Sequence, residues 1–279
     1  SLMILATQSL SLLCYQLVPN VKPILLDRSG ASSTQIALII GSIPQAINFV
    51  LCPLISTLSD KTRTRFGRRT PYLIISAPAL VILLLMIAWT KEITAFLTQL
   101  FPALQNVNAP LWTLATLILL FQVAYLFPGS VVYYLIADVI PKECIGRYMA
   151  ISTILGTALG AFFNFFILDY AVNWMKPTFC IIGGLYLAAY LLQFFFVREG
   201  EYPPVQDNVS EQGGFVRKMM EYLTLFFRQC FQHKIFVFLF LSTGLNQASN
   251  ICRSMYNVLF ATKEIGMSIG YYGKIMGIG

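Results

Sequence analysis

Four polar side chains, Asn246, Asn250, Arg253 and Asn257, recur at i, i+4, i+7 and i+11 in an otherwise apolar run, on one face of a helix. Gln122, Tyr125, Gly129 and Tyr133 make a second such face at i, i+3, i+7 and i+11. Gln8, Ser11 and Tyr15 make a third, with Gln16 and Asn20 on the adjacent strip. Gln45, Asn48 and Cys52 share a fourth, and Asn164 ends a row begun by Ser152, Gly156 and Gly160, whose small residues read as a packing seam. These groups are amides, phenols, hydroxyls and a single guanidinium. They donate and accept hydrogen bonds without charge transfer, and the aromatic rings can stack on the apolar face of a sugar ring, so the set suits a neutral polyhydroxylated ligand. Any one amide serves equally well as an interhelical hydrogen bond, worth about 0.6 kcal/mol on average. The set as a whole favours a cavity. Arg253 has no acid within a turn, so it pairs with an acid elsewhere, faces water, or touches the ligand.

The elements that carry these faces are membrane spans. Of 279 residues, 57% are hydrophobic and 11% charged, where soluble domains carry about a quarter charged residues. Strand alternation is absent, so the chain reads as an all-α integral membrane protein. Spans are predicted over Leu2–Leu26, Thr34–Leu58, Pro71–Thr90, Leu111–Ala137, Tyr148–Leu168, Pro177–Val197 and Ile235–Ala261, with the start of another at Ser268–Gly279. A short interfacial helix is expected within Ile93–Leu104, and a basic amphipathic helix, Phe215–His233, closes the polar stretch that begins at Arg198. The organisation is thus a six-helix bundle at 1–197, a cytoplasmic linker at 198–234, and the start of a second bundle at 235–279. The chain begins without Met and restarts after its linker, so we expect a fragment of a twelve-helix protein.

Ser59-Asp60-Lys61-Thr62-Arg63-Thr64-Arg65-Phe66-Gly67-Arg68-Arg69-Thr70-Pro71-Tyr72 fixes the orientation. Each Lys or Arg at a helix centre costs about 2.5–3.5 kcal/mol on insertion scales, so this cluster is a loop, and positive loops stay cytoplasmic. Twelve of the nineteen Lys and Arg fall on that side and five (Lys22, Arg28, Lys91, Lys176 and Lys263) on the other, which places the N-terminus inside. The +7 net charge is this loop bias and not a nucleic-acid footprint. The six cysteines are scattered without a CxxC pair and His233 is the lone histidine, so no metal site or cofactor is expected. HExxH, GxSxG and Walker motifs are absent, so the chain does not read as an enzyme.

Asp60-(x)4-Arg65-Phe66-Gly67-Arg68-Arg69 resembles the loop signature of the major facilitator superfamily. With Pro53 and Thr70-Pro71-Tyr72 it looks like the glycoside–pentoside–hexuronide symporters and the related sucrose transporters. Ala137-Asp138-(x)2-Pro141-(x)5-Arg147 is similar to the next cytoplasmic turn of the same group. The resemblance implies a major facilitator fold and alternating access. It also implies a gating role for Asp60, Arg65, Gly67, Arg68, Arg69, Asp138 and Arg147, and a site built from Gln8, Tyr15, Gln16, Asn20, Gln122, Tyr125, Asn164, Asn246, Asn250, Arg253 and Asn257. Two aspartates of melibiose-permease-like members align with Asn48 and Cys52, which supply no charge, so sodium coupling is not carried over; proton coupling and facilitated diffusion stay open. The expected partners are a sugar or glycoside and the bilayer, and the expected location is the plasma (inner) membrane. A drug or lysolipid exporter, or a non-transporting receptor or scaffold on the same fold, are the alternatives.

Overall fold

A computed structural model describes residues 21–62, 64, 67–101, 108–196, 220–221, 224–225, 227–228 and 231–278, with backbone alone at 57, 60, 61 and 247–255. The described chain is helical, and its one β-bridge joins Thr64 to Gly67. α1 (21–28) ends at Gly30, whose φ of +85° favours a residue without Cβ. There Ala31 N–H donates to Leu26 O at 3.0 Å and Gly30 N–H to Asp27 O at 2.9 Å, the paired bonds of a Schellman cap. α2 then starts from a capping box, with Gln35 N–H donating to Ser32 Oγ and Ser32 N–H to Gln35 Oε1. It comprises Ser33–Ala37, a π turn at Leu38–Ser42, and Ile43–Lys61.

α3 (Thr70–Ala88) and α5 (Ala109–Val139) each carry proline in the first turn, where the missing N–H costs nothing. Between them lies α4 (Thr90–Leu100), a short helix where one was expected within Ile93–Leu104. α6 comprises Lys142–Phe162, a π turn at Phe163–Ile167, and Leu168–Asn173; it starts six residues earlier than predicted because Pro141 caps it and its first turns project beyond the apolar stretch. α7 is Met175–Phe196, α8 is Lys234–Leu259 followed by a π turn at Phe260–Glu264, and α9 is Ile269–Ile278.

Five of the described helices are long and apolar enough to cross a membrane: α2, α3, α5, α6 and α7. α3 packs between α5 and α7, and α2 lies against α5. Ala77, Leu80 and Leu84 of α3 meet Ile118 and Phe121 of α5 and Phe179, Ile182 and Tyr186 of α7 in one buried cluster. At Gly183 an added Cβ would lie 3.3 Å from Val81 Cγ1, so the absence of a side chain sets the α3–α7 spacing. Ile75, Ile154, Ile181 and Phe195 stay exposed, as a lipid-facing surface requires.

α9 crosses α6 on a face of glycines. A Cβ on Gly273 would stand 2.2 Å from Asn164 O, and one on Gly277 2.9 Å from Ala161 O. The C-terminal portion of α8 and the π turn that follows it touch the first bundle: Tyr256 Oη donates to Ser33 O at 3.0 Å, and Lys263 pairs with Asp27. Both contacts lie at the end of the bundle opposite the basic loop. At that same end Lys176 pairs with Glu92 and lies over the Trp89 ring, and the ammonium holds the Glu92 carboxyl below its ordinary 4.5.

Candidate functional site

Gln45, Asn48 and Cys52 of α2 face Gln122, Tyr125, Gly129, Ser130 and Tyr133 of α5 across a cavity of about 410 Å³. The facing follows from spacing, since both sets recur at three to four residues and each therefore occupies one stripe of its helix. The cavity is closed towards α2's N-terminal end by Gln122, whose Nε2 donates to Ile39 O at 3.1 Å. Ile39 lies in the π turn, where the i→i−4 ladder is interrupted and a carbonyl is open to an outside donor. Gln122 is thus both cavity wall and interhelical bond. Towards the basic loop, Cys52 Sγ and Ser130 Oγ approach to 3.6 Å. The Tyr125 ring folds over Gly129, where an added Cβ would sit 3.3 Å from its Cε1, so this glycine makes room for the aromatic wall.

The remaining wall is Lys22 of α1, a residue assigned by charge counting to the outer surface. The structure corrects this: Lys22 is 7% exposed and lines the cavity. It stands six residues, or about 9 Å of helix, before the end of α1, too deep for its short loop to hold it in water. That depth was the signal available in the sequence. Ser130 was also missed, since nothing in its apolar neighbourhood marks it except its register with Tyr133 and Gly129.

The other predicted site residues are placed as follows. Gln8, Tyr15, Gln16 and Asn20 lie outside the described residues, as do the side chains of Asn250 and Arg253. Asn246 is exposed and Asn257 half-buried on α8, and neither is among the described cavity lining. Asn164 lies in the π turn of α6 and offers its backbone carbonyl to the α9 crossing, away from that lining. A larger hollow of about 720 Å³ lies at the end opposite the basic loop, among Arg28, Lys91, Glu92, Trp174 and Lys176. There Lys176 pairs with Glu92, and Arg28 donates to Val172 O.

At the basic-loop end the gating residues Arg68, Arg69 and Asp138 come together. Arg68 Nη2 donates to Asp138 Oδ1 at 2.8 Å and to Oδ2 at 2.9 Å, and Arg69 Nε lies 2.7 Å from Oδ2. The Arg69 guanidinium also stacks over Tyr134, 4.8 Å from the ring centre. One carboxylate at the end of α5 therefore clamps the α2–α3 loop. Asp60 lies at the end of α2 with its side chain outside the described residues, and Arg65 lies outside them entirely. Arg147 is exposed at the start of α6 and forms no ion pair among the described residues.

Gly67 serves this clamp through its backbone. Its φ is +106°, and it exchanges hydrogen bonds with Thr64 at 3.0 and 3.2 Å to close the turn that delivers Arg68 and Arg69. An L-residue is strained there. Gly67→Ala is expected to cost about 1–2 kcal/mol in thermal unfolding of the purified protein; an unchanged melting temperature would refute this account of the turn.

Apolar spans, a polar-lined hollow between two of them and a charge clamp at one end define a multi-pass helical membrane bundle. The MFS/sugar transport protein family matches residues 21–271, and the chain belongs to it. A general alpha-glucoside permease of Schizosaccharomyces pombe (strain 972 / ATCC 24843) is 24% identical over 169 residues, which cover 58% of this chain and 30% of that protein. The matched stretch thus spans under a third of the length of that relative. No solved structure matches the chain.

Proposed function

We propose that the chain forms the first lobe, and the start of a second, of a secondary transporter for a sugar or glycoside. The observation that carries the reading is the α2–α5 cavity, where amides, hydroxyls and phenols from two membrane-length helices converge on one hollow. Tyr125 and Tyr133 offer ring faces to the apolar side of a pyranose, and Gln45, Asn48 and Gln122 offer hydrogen bonds to its hydroxyls. By the positive-inside rule the basic loop is cytoplasmic, in the plasma (inner) membrane. The contacts Asp27–Lys263 and Tyr256–Ser33 then close the external end, and the cavity faces inward. Arg68, Arg69 and Asp138 stiffen the cytoplasmic end of the lobe, so that it rocks as a body against the second. The described cavity lining holds no carboxylate to ligate sodium, so uptake is driven by protons or runs downhill.

The test is counterflow of radiolabelled α-methyl glucoside in proteoliposomes of the two-lobed protein to which this chain belongs. Tyr125→Ala is expected to weaken apparent affinity about tenfold, the loss of one stacked aromatic face. Counterflow that is absent in the wild type, or indifferent to Tyr125→Ala, overturns the reading.

A further inference from the structure

The hollow of about 720 Å³ at the end opposite the basic loop shares no described lining residue with the α2–α5 cavity, and its chemistry differs. Its described lining carries three cations, Arg28, Lys91 and Lys176, against one acid, Glu92, a surplus of two positive charges. Lys176 is held by Glu92, and one guanidinium nitrogen of Arg28 donates to Val172 O at 3.4 Å. Among the described residues that leaves the other N–H groups of Arg28 and the Lys91 ammonium to meet an anion. Beneath this charged rim the floor is apolar, with Ile87, Ala88, Leu114 and Val172 all buried.

The lining comes from the ends of membrane spans: α3 stops at Ala88, α5 starts at Ala109, α6 stops at Asn173 and α7 starts at Met175. Span ends lie at the level of lipid headgroups, where tryptophan is enriched, and Trp89 and Trp174 stand there. We propose that this hollow binds the phosphate of an anionic phospholipid in the leaflet opposite the basic loop, with Arg28 and Lys91 as its ligands. A free phosphate would meet the same cations, but exposed pairs of that kind contribute little. A lipid is already concentrated at this surface and sets its first methylenes against the apolar floor. The charge surplus also chooses the headgroup. Phosphatidylglycerol brings one negative charge and no positive one, whereas a choline headgroup adds a cation facing Lys91 and Lys176. Bound there, the lipid ties the end of α1 to the start of α4 and stabilises the lobe, whichever solute the α2–α5 cavity holds.

The test is thermal unfolding of the two-lobed protein to which this chain belongs, purified in neutral detergent and titrated with phosphatidylglycerol, phosphatidylcholine or inorganic phosphate. Phosphatidylglycerol is expected to raise the melting temperature by about 3 °C more than phosphatidylcholine, through mass action on a saturable site, and inorganic phosphate to leave it unchanged. That comparison needs no variant to fold. Arg28→Gln/Lys91→Gln, at two exposed positions, is expected to lose at least about half of the phosphatidylglycerol increment. Lys142→Gln/Lys234→Gln, which removes as many exposed cations at the basic-loop end, is expected to keep it. The increment is read within each variant, so a change in basal stability does not enter it. Equal increments from the two lipids overturn the assignment, as does an equal increment from inorganic phosphate. An increment that survives Arg28→Gln/Lys91→Gln, or falls as far in Lys142→Gln/Lys234→Gln, overturns it too.

Discussion

Gly273→Ala is expected to cut transport at least tenfold and to lower the melting temperature of the purified protein. The Cβ would arrive 2.2 Å from the Asn164 carbonyl oxygen, and a backbone atom cannot rotate away as a side-chain tip can. α9 would have to withdraw from α6 by about 1 Å to restore ordinary contact. Overpacking of this kind costs about 1–3 kcal/mol in tightly packed sites. Small residues at such crossings are what lets membrane helices approach closely. Gly244→Ala is the control: among the described residues its Cβ meets nothing within 4 Å, and the better helix former should leave stability unchanged or slightly raised. Equal behaviour of the two variants in both measurements would remove the α6–α9 contact from the mechanism.

Asp138→Asn is expected to destabilise the protein by about 2–3 kcal/mol in thermal or denaturant unfolding. The carboxylate holds two arginines at once, with side-chain exposures of 17% for Arg68, 7% for Arg69 and 16% for Asp138. Neutralising it takes away the charge that both guanidiniums share, one of them almost wholly buried. Breaking a fully buried pair costs about 3–5 kcal/mol, and the partial solvent access here lowers that figure. The exposed Lys176–Glu92 pair sets the contrast, since surface pairs contribute about 0–1 kcal/mol and Glu92→Gln should barely register. A loss for Asp138→Asn no larger than for Glu92→Gln would mean that the clamp is only a surface contact.

Much of the fold was legible because membrane helices obey few rules. Apolar length located the five spans between Thr34 and Val197, and the charge run at 61–69 marked a loop, because neither has another solution in hydrocarbon. The α2 and α5 stripes were legible for the same reason that they work, since helical periodicity places Gln122, Tyr125 and Tyr133 together whatever the tertiary structure. Lys22 was misplaced because counting charges assigns a side to each cation without asking how far inside the span it sits. The pairing of Arg68 and Arg69 with Asp138 was not legible, since loop geometry, set in part by the positive φ of Gly67, decides where the guanidiniums reach. Asn164 was attached to the cavity by register alone. The π turn at Phe163–Ile167 shifts that register by one residue, which no periodicity rule anticipates.

The widened turn at Leu38–Ser42 has an evolutionary consequence. Such a turn is an α-helix holding one surplus residue, so removing a single codon there restores regular winding and leaves everything after it in place. The same deletion would retract the Ile39 acceptor and free the Gln122 amide to turn inward. Diverging lineages can therefore retune the polarity of this chamber by a one-residue indel, without exchanging any side chain that lines it.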